Sequence, residues 1–178
     1  MTDPNRAPDR ILLTGLTGLV GSSVVVALAR ERRDISFVCL VRGSGGVSAA
    51  QRAREVIRSE CAFEGCPEAC EDVLSRVSVI EGDVTSIDVE KLSADPLLRG
   101  VRKVIHCAAD VNLGKDPTGR VFTVNYEGTR RMVDLAKRLG VDEFHYVATA
   151  FVAGRQTGEI LVVPREKTPT GAAARGNP

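Results

Sequence analysis

The chain has 178 residues, of which 43% are hydrophobic and 26% charged, a composition typical of one soluble globular domain. Its 24 basic residues nearly balance its 23 acidic ones, so no net field predicts binding to nucleic acid or to a membrane surface. The longest strictly apolar run, 24–29, is far shorter than the roughly 20 residues of a membrane span, and the polar N-terminus has no apolar signal core. We therefore predict a cytoplasmic protein.

Apolar, β-rich runs alternate with helical patterns along the chain, which predicts βαβ units and a parallel sheet. The predicted elements are strand 10–13, helix 19–33, strand 34–41, a helix from 47, short helix 67–76, strand 77–80, short helix 89–98, strand 101–107, a helix ending at Gly140 and strand 143–147. They predict an α/β fold, a Rossmann-like doubly wound sheet of order 3-2-1-4-5, over residues 10–160. A disordered leader (1–9) and an irregular tail (161–178) are expected on either side. The fifth strand would be an edge strand, which predicts self-association of the isolated chain.

Two features of the segment after residue 47 invite a binding interpretation. Arg52, Arg54 and Arg58 share one face of the predicted helix, and a solvated face explains them better than a binding patch. Cys61, Cys66 and Cys70 are spaced C-x4-C-x3-C, but neither a CxxC pair nor a histidine lies nearby. We predict no metal site and interpret these cysteines as small apolar residues of a helix-loop-helix. The odd total of five cysteines indicates free thiols in a reducing compartment.

The stretch TGLTGLVG carries Gly15, Gly18 and Gly21 at three-residue spacing between the first strand and the first helix. In a dinucleotide-binding fold the first glycine makes the tight turn, the next lets backbone N–H groups approach the pyrophosphate, and the last allows close helix packing. The phosphates then lie at the positive end of the helix. This context favours a phosphate-binding loop over glycines that serve packing alone.

The residue after the second strand predicts which dinucleotide binds. A site that prefers NAD has Asp or Glu there for the ribose 2′-hydroxyl, whereas arginine suits a 2′-phosphate. This chain has Arg42 and no acidic residue at the strand end. A guanidinium–phosphate contact is charge-assisted and can be bidentate. We therefore predict NADP(H) rather than NAD(H), the alternative being that Arg42 is an ordinary exposed loop residue.

Glycines spaced GxxGxxG after a threonine resemble the extended short-chain dehydrogenase/reductase superfamily. Further blocks occur in order, namely CLVRG (39–43), EGDVT (81–85), VIHCAADVN (104–112), VNYEGTRRMVDLA (124–136) and HYVATAFVAG (145–154). Together they are most similar to the thioester-reductase and fatty acyl-CoA reductase branch. The resemblance covers about residues 10–160. It implies an NADPH-dependent reductase of acyl thioesters, with acyl-CoA or an acyl carrier protein as partner of the full-length protein.

The resemblance also implies roles for individual residues. Beside the loop glycines Gly15, Gly18 and Gly21, the residues implied in cofactor binding are Thr17, Leu19 and Val20 at the pyrophosphate, Arg42 at the 2′-phosphate, Asp83 and Val84 at the adenine, and Ala108 and Ala109 near the nicotinamide ribose. Asn125 would be a structural residue at a helix start. Thr149 matches the catalytic Ser/Thr that hydrogen-bonds the substrate carbonyl oxygen, although a threonine at a strand end also suits β-structure by itself.

Catalysis in this family also uses Tyr-x-x-x-Lys, whose tyrosine donates a proton to the carbonyl oxygen and whose ammonium lowers the tyrosine pKa. Here Tyr126 is followed four positions later by Arg130, and Tyr146 by Ala150. The expectation is a reductase truncated before this motif and before its substrate-binding portion, inactive alone. Alternatives are a genuine short protein, an NAD(P)-dependent epimerase/dehydratase or carbonyl reductase of the same superfamily, and a non-catalytic NADP-binding sensor module.

Overall fold

Five parallel strands form one sheet in the computed structural model, which describes residues 9–112 and 114–148. The strands are β1 (Asp9–Thr14), β2 (Ile35–Val41), β3 (Val77–Glu81), β4 (Val101–His106) and β5 (Glu143–Tyr146). Their order, β3-β2-β1-β4-β5, is the predicted one, and each neighbouring pair is parallel. The order reverses beside β1, and ligands of open α/β sheets bind at the carboxyl ends of the strands at such a point.

Helices alternate with these strands, as the sequence predicts. They are α1 (Leu19–Glu31), α2 (Ala49–Phe63), α3 (Cys70–Ser75), α4 (Val89–Ser93), α5 (Arg120–Phe122) and α6 (Thr129–Leu139). A π-helical segment, Thr123–Gly128, joins α5 to α6, and α6 ends at Gly140, whose φ of 64° is the left-handed conformation expected of a glycine cap. No helix of the described residues is long and apolar enough to cross a membrane.

Two predicted short helices are each divided in the structure, and prolines explain the division. The segment predicted at 89–98 consists of α4 and a separate 3-10 turn, Pro96–Leu98. The Asp95 carboxylate accepts the Leu97 N–H at 2.8 Å and so starts that turn afresh. Likewise, Pro67 begins a 3-10 turn, Pro67–Ala69, before α3. Proline has no N–H for a helical bond and is best tolerated at the first position of a helix, so each proline marks a new start.

Helices cover both faces of the sheet, and its central strands carry continuous apolar runs, 11–13 in β1 and 37–41 in β2. Leu13, Phe37 and Cys39 pack with α1 and α2 on one face, whereas Leu12 and Val38 pack with α6 on the other. Side chains of a strand alternate between the two faces, so a continuous apolar run feeds both layers at once. The two layers hold the strand ends in place, and the loops that leave those ends form the site.

The three clustered cysteines are part of the first of these layers. Cys61 lies in α2, Cys66 precedes the 3-10 turn and Cys70 begins α3, and all three are buried. Burial, together with the neighbouring Cys70 and Cys66, raises the pKa of the Cys61 thiol to about 12. A thiol with that pKa stays protonated and unreactive near neutral pH. The cysteines therefore act as packing residues of a helix-loop-helix, as predicted.

Candidate dinucleotide-binding site

A cleft of about 370 Å³ lies at the carboxyl ends of β1, β2, β3 and β4. The loops that follow these strands line it, so residues distant in sequence meet there. An adjoining hollow of about 480 Å³, lined by polar and charged side chains, shares Arg42 and Asp83 with the cleft. The predicted cofactor-binding residues that line the cleft are Gly15, Thr17, Gly18, Arg42, Asp83, Val84, Ala108 and Ala109. The remaining three, Leu19, Val20 and Gly21, follow Gly18 in the first turn of α1.

The structure requires glycine at two of the three positions in the loop. Gly15 has a φ of 81°, and a Cβ there would lie 2.6 Å from the backbone nitrogen of Ala108. A Cβ on Gly21 would lie 2.6 Å from the carbonyl carbon of Gly15. At Gly18, by contrast, the nearest atom to a Cβ would be the Gly15 oxygen at 3.4 Å, an ordinary contact. Gly15 and Gly21 are therefore required by the fold of the loop itself, and Gly18 is not.

The N-terminus of α1 faces the cleft with a positive potential. Gly18 precedes the helix, and the first turn contains no acidic residue. The Gly18 N–H donates to the Gly15 carbonyl at 3.0 Å, which closes the turn between β1 and α1. The first N–H groups of a helix have no partner within it, and the helix dipole adds to their positive potential. This end of α1 is therefore suited to a phosphate.

Arg42 and Asp83 lie at the ends of adjacent strands and face each other across 3.5 Å, from Nη1 to Oδ2. Oδ1 of Asp83 accepts the Thr85 N–H at 2.9 Å and the Thr85 hydroxyl at 2.8 Å. Burial by itself would raise the pKa of Asp83, but the two bonds from Thr85 and the charge of Arg42 lower it overall. The Asp83 carboxylate is therefore ionised, and its Oδ2, which Arg42 meets only at 3.5 Å, can still accept from a ligand.

One of the three arginines predicted to form a solvated helix face contributes to the site. Arg54 and Arg58 are exposed, as expected. Arg52, however, donates from its guanidinium to the backbone carbonyl of Arg42. Residues at the start of α2 can reach back over the preceding loop, because side chains of a helix lean toward its N-terminus. Arg52 therefore ties α2 to the loop that positions Arg42.

A buried hydroxyl–imidazole network lies beside the cleft, and our sequence prediction missed it. Nδ1 of His106 lies 2.6 Å from Oγ1 of Thr14, and Nε2 lies 3.0 Å from Oγ1 of Thr129. Thr14 Oγ1 also accepts the N–H of Ala108 at 3.2 Å. Burial lowers the pKa of His106 to about 4, so the ring is neutral. The network joins β1, β4 and α6 behind the residues that line the cleft.

Asp110 and Asn125 connect the loop after β4 to the π-helical segment. The Asp110 N–H donates to Asn125 Oδ1 at 2.7 Å, and Asn125 Nδ2 donates to the Asp110 carbonyl at 2.9 Å. This reciprocal pair gives Asn125 the structural position that the resemblance implies. The Asp110 carboxylate in turn accepts Arg120 Nε at 2.9 Å. Arg120 lines both the cleft and the adjoining hollow, and no motif in the sequence singles it out.

Three hydroxyl residues, Thr149, Tyr126 and Tyr146, bear on the catalytic step of the family, and the structure describes the two tyrosines. Thr149 lies outside the described residues. Tyr126 lies in the π-helical segment and stacks on Phe122, with ring centroids 4.9 Å apart. Tyr146, at the end of β5, stacks on His106 with centroids 5.7 Å apart. Neither tyrosine has a lysine four positions after it.

The arrangement of glycine loop, helix N-terminus and strand-end residues is matched by a known family. Residues 13–175 match the NAD-binding family described as male sterility protein. The chain belongs to this family. Among curated proteins, the chain is 28% identical to human fatty acyl-CoA reductase 2 over 145 residues, which cover 79% of the chain and 28% of that relative.

Two of the solved structures similar to this chain are reductase domains. A thiolation-reductase di-domain from an archaeal non-ribosomal peptide synthetase is 25% identical, with a TM-score of 0.67 over 82% of this chain and 37% of that one. The terminal R domain of the myxalamid biosynthetic pathway is 28% identical, with a TM-score of 0.66 over 86% and 38%. The chain thus spans well under half the length of these relatives. Its family and fold make it a nicotinamide-dinucleotide-binding domain.

Proposed function

We propose that this chain is the NADPH-binding portion of a reductase that converts acyl thioesters, either acyl-CoA or carrier-bound acyl groups, to aldehyde or alcohol. The observation that carries the preference for NADP(H) is Arg42, which stands at the end of β2 in the position where an acidic residue would select NAD. The names of two relatives support the substrate class, since one concerns fatty acyl-CoA and the other a thiolation domain.

The described residues fit a dinucleotide phosphate group. Side chains are absent at Gly15 and Gly18, where the backbone borders the cleft, and the start of α1 carries no acidic residue. A pyrophosphate would therefore meet backbone N–H groups and the positive end of a helix without a competing carboxylate. Arg42 would hold the 2′-phosphate, and Asp83 Oδ2 would accept from the adenine amino group.

When bound, the cofactor supplies hydride for reduction of a carbonyl carbon. The contribution of this chain is to bind and orient it, through the α1 N-terminus, Arg42, and the backbone of Ala108 and Ala109. Thr149 would donate a hydrogen bond to the substrate carbonyl oxygen. Proton donation falls to a Tyr-x-x-x-Lys pair, which these 178 residues do not contain. We therefore expect the chain by itself to bind cofactor and not to turn over substrate.

Replacing Arg42 with alanine tests the cofactor preference. The variant should bind NADPH about tenfold more weakly, because a charge-assisted contact from a half-exposed guanidinium lies at the low end of the range for such bonds. Its affinity for NADH, which lacks the 2′-phosphate, should change less than twofold. Titration calorimetry with both cofactors measures the difference. Arg30→Ala, at an exposed arginine in the last turn of α1, is the matched control. Equal losses for NADPH and NADH would refute the assignment.

Turnover tests the expectation that the chain by itself is inactive, an expectation that the reductase proposal and a non-catalytic NADP-binding module share. NADPH oxidation with a long-chain acyl-CoA should be undetectable for the 178-residue chain under conditions where calorimetry shows binding. Measurable turnover would contradict our expectation that the missing pair is required. The coding sequence after Pro178 then distinguishes the two candidates, because a reductase requires Tyr-x-x-x-Lys within a few tens of codons and a sensor module does not.

A further inference from the structure

Arg120 is a second arginine at the end of the cleft where we propose that the 2′-phosphate binds, and it comes from a different part of the fold than Arg42. Arg42 follows β2, whereas Arg120 begins α5 after β4, so the two approach from opposite sides of β1 in the sheet order. Both line the adjoining hollow, together with Gly43, Ser44 and Glu81. Two arginines from different parts of the fold therefore line the same hollow.

The guanidinium of Arg120 is held in a fixed position with donors to spare. Its Nε donates to Asp110 Oδ2 at 2.9 Å, and Asp110 is itself fixed by the reciprocal pair with Asn125. Among the described residues this is its one recorded partner, so the two terminal nitrogens are left for a ligand. The side chain is 59% exposed. A guanidinium held by Nε presents both terminal nitrogens together, the geometry that suits a phosphate.

The carboxylates of the hollow are already engaged elsewhere. Glu81 accepts the Ala49 N–H at 3.1 Å, at the start of α2. Asp83 uses Oδ1 for Thr85, and its Oδ2 meets Arg42 only at 3.5 Å. A phosphate dianion can therefore compete for Arg42 without breaking a short ion pair. Arg120 keeps its 2.9 Å pair with Asp110 through Nε, so its two terminal nitrogens have no carboxylate partner among the described residues.

Both arginines also act electrostatically on the same carboxylate, that of Asp110. The pKa of Asp110 is lowered first by the Asn112 N–H, then by the hydrogen bond from Arg120, and also by the charges of Arg120 and Arg42. The field of Arg42 thus reaches the carboxylate that holds Arg120. Two like charges at such a site repel each other, and a bound dianion relieves that repulsion.

We propose that Arg120 and Arg42 bind the 2′-phosphate of the cofactor jointly, which makes Arg120 a specificity-determining residue for NADP(H). The proposal rests on the proposed NADP(H) function. It adds a contact from the β4 side of the site that the strand-end rule for Arg42 does not include.

The test compares NADP⁺ with NAD⁺, which differ only by the 2′-phosphate, in calorimetric titrations. The proteins are Arg120→Gln, Arg120→Lys, Arg42→Ala, the double variant Arg42→Ala/Arg120→Gln and the control Arg30→Gln. Arg120→Gln should weaken the binding of NADP⁺ about fivefold, because it removes one exposed contact to the phosphate. Its affinity for NAD⁺ should stay within twofold of the wild type. Arg120→Lys should recover part of the loss because it retains the charge. The variants should fold, since the Arg120 N–H to Asp116 Oδ1 bond at 2.8 Å is made by the backbone; urea unfolding checks this.

The outcomes distinguish this proposal from the one it rests on. If Arg120→Gln weakens NADP⁺ and NAD⁺ equally while Arg42→Ala affects NADP⁺ alone, the Arg120 proposal is overturned and the NADP(H) preference stands. Arg120 would then contact the adenosine common to both cofactors. If Arg42→Ala and Arg120→Gln both leave the ratio of NADP⁺ to NAD⁺ affinity unchanged, both proposals fail. A ratio that falls in each single variant and approaches one in the double variant supports joint binding.

Discussion

Replacing Gly21 with alanine should destabilise the chain by about 3 kcal/mol, the upper end for overpacking, and should remove measurable cofactor binding. The added Cβ would lie 2.6 Å from the carbonyl carbon of Gly15 and 3.0 Å from Cα of Leu16. Both are backbone atoms, so no flexible side chain can move aside. Relief requires the loop to separate from α1, which displaces the N–H groups at the start of the helix. We expect this destabilisation even though intrinsic helix propensity favours alanine over glycine by about 1 kcal/mol.

Gly18→Ala is the matched control for that prediction. A Cβ at Gly18 would meet only the Gly15 oxygen, at 3.4 Å, and its φ of −97° suits any residue. The variant should retain its unfolding free energy within about 0.5 kcal/mol, the range of unstrained surface changes. It should nevertheless bind NADPH more weakly, because the methyl group enters the cleft beside the α1 N-terminus. Urea unfolding and calorimetry measure the two effects. Wild-type stability in Gly21→Ala would show that packing does not require glycine there.

The parts of the fold that could be predicted from the sequence are those encoded by local pattern. The apolar runs of β1 and β2, the glycine loop and the cap at Gly140 each carry a signal within a few residues, so the predicted elements and strand order agree with the structure. Boundaries were less predictable where proline starts a 3-10 turn, as at Pro96. The π-helical segment 123–128 gave no signal, because its pattern continues that of the helix around it.

In the site, too, the sequence predicted what local pattern encodes and missed what depends on contacts between distant residues. Most predicted cofactor-binding residues line one cleft because each belongs to a short block at a strand end. The contacts that the sequence did not predict join distant residues. Thr14 and His106 are separated by 92 positions, and Arg120 faces Arg42 only because α5 follows β4 in this topology. Thr14 and His106 can both be read from the sequence. The contact between them cannot, because it depends on the pairing of β1 with β4.

His106 should make the stability of the chain depend on pH. Its ring is fully buried, in contact with the hydroxyls of Thr14 and Thr129 and stacked on Tyr146. Burial lowers the pKa of His106 to about 4, compared with about 6.5 in an unfolded chain. Between these values the unfolded chain binds the proton that the folded chain does not, so acid favours unfolding. The stabilisation is complete above about pH 6.5 and is lost progressively as the pH falls toward 4.

The expected loss between pH 7 and pH 5 is about 2 kcal/mol of unfolding free energy. His106→Asn, which keeps a polar atom near the Nδ1 position and cannot be protonated, should be less stable than the wild type at pH 7 but should lack this loss. The chain has only two histidines, so His145→Asn is the natural control. His145 is exposed beside Glu143, and its variant should retain the full pH dependence. Urea unfolding of the three proteins at both pH values, without cofactor, measures the effect.

Protonation of His106 should also weaken cofactor binding before the chain unfolds. Thr14 Oγ1 accepts the N–H of Ala108 at 3.2 Å and lies 2.6 Å from His106, so one hydroxyl serves both the ring and the lining of the cleft. A charged imidazole would donate from both nitrogens and compete with the Ala108 N–H for the lone pairs of Thr14. NADPH affinity of the wild type should therefore fall more steeply from pH 7 to pH 5 than that of His106→Asn. If NADPH affinity falls equally in the two proteins, protonation of His106 does not affect the cofactor site, and His106 acts in folding alone.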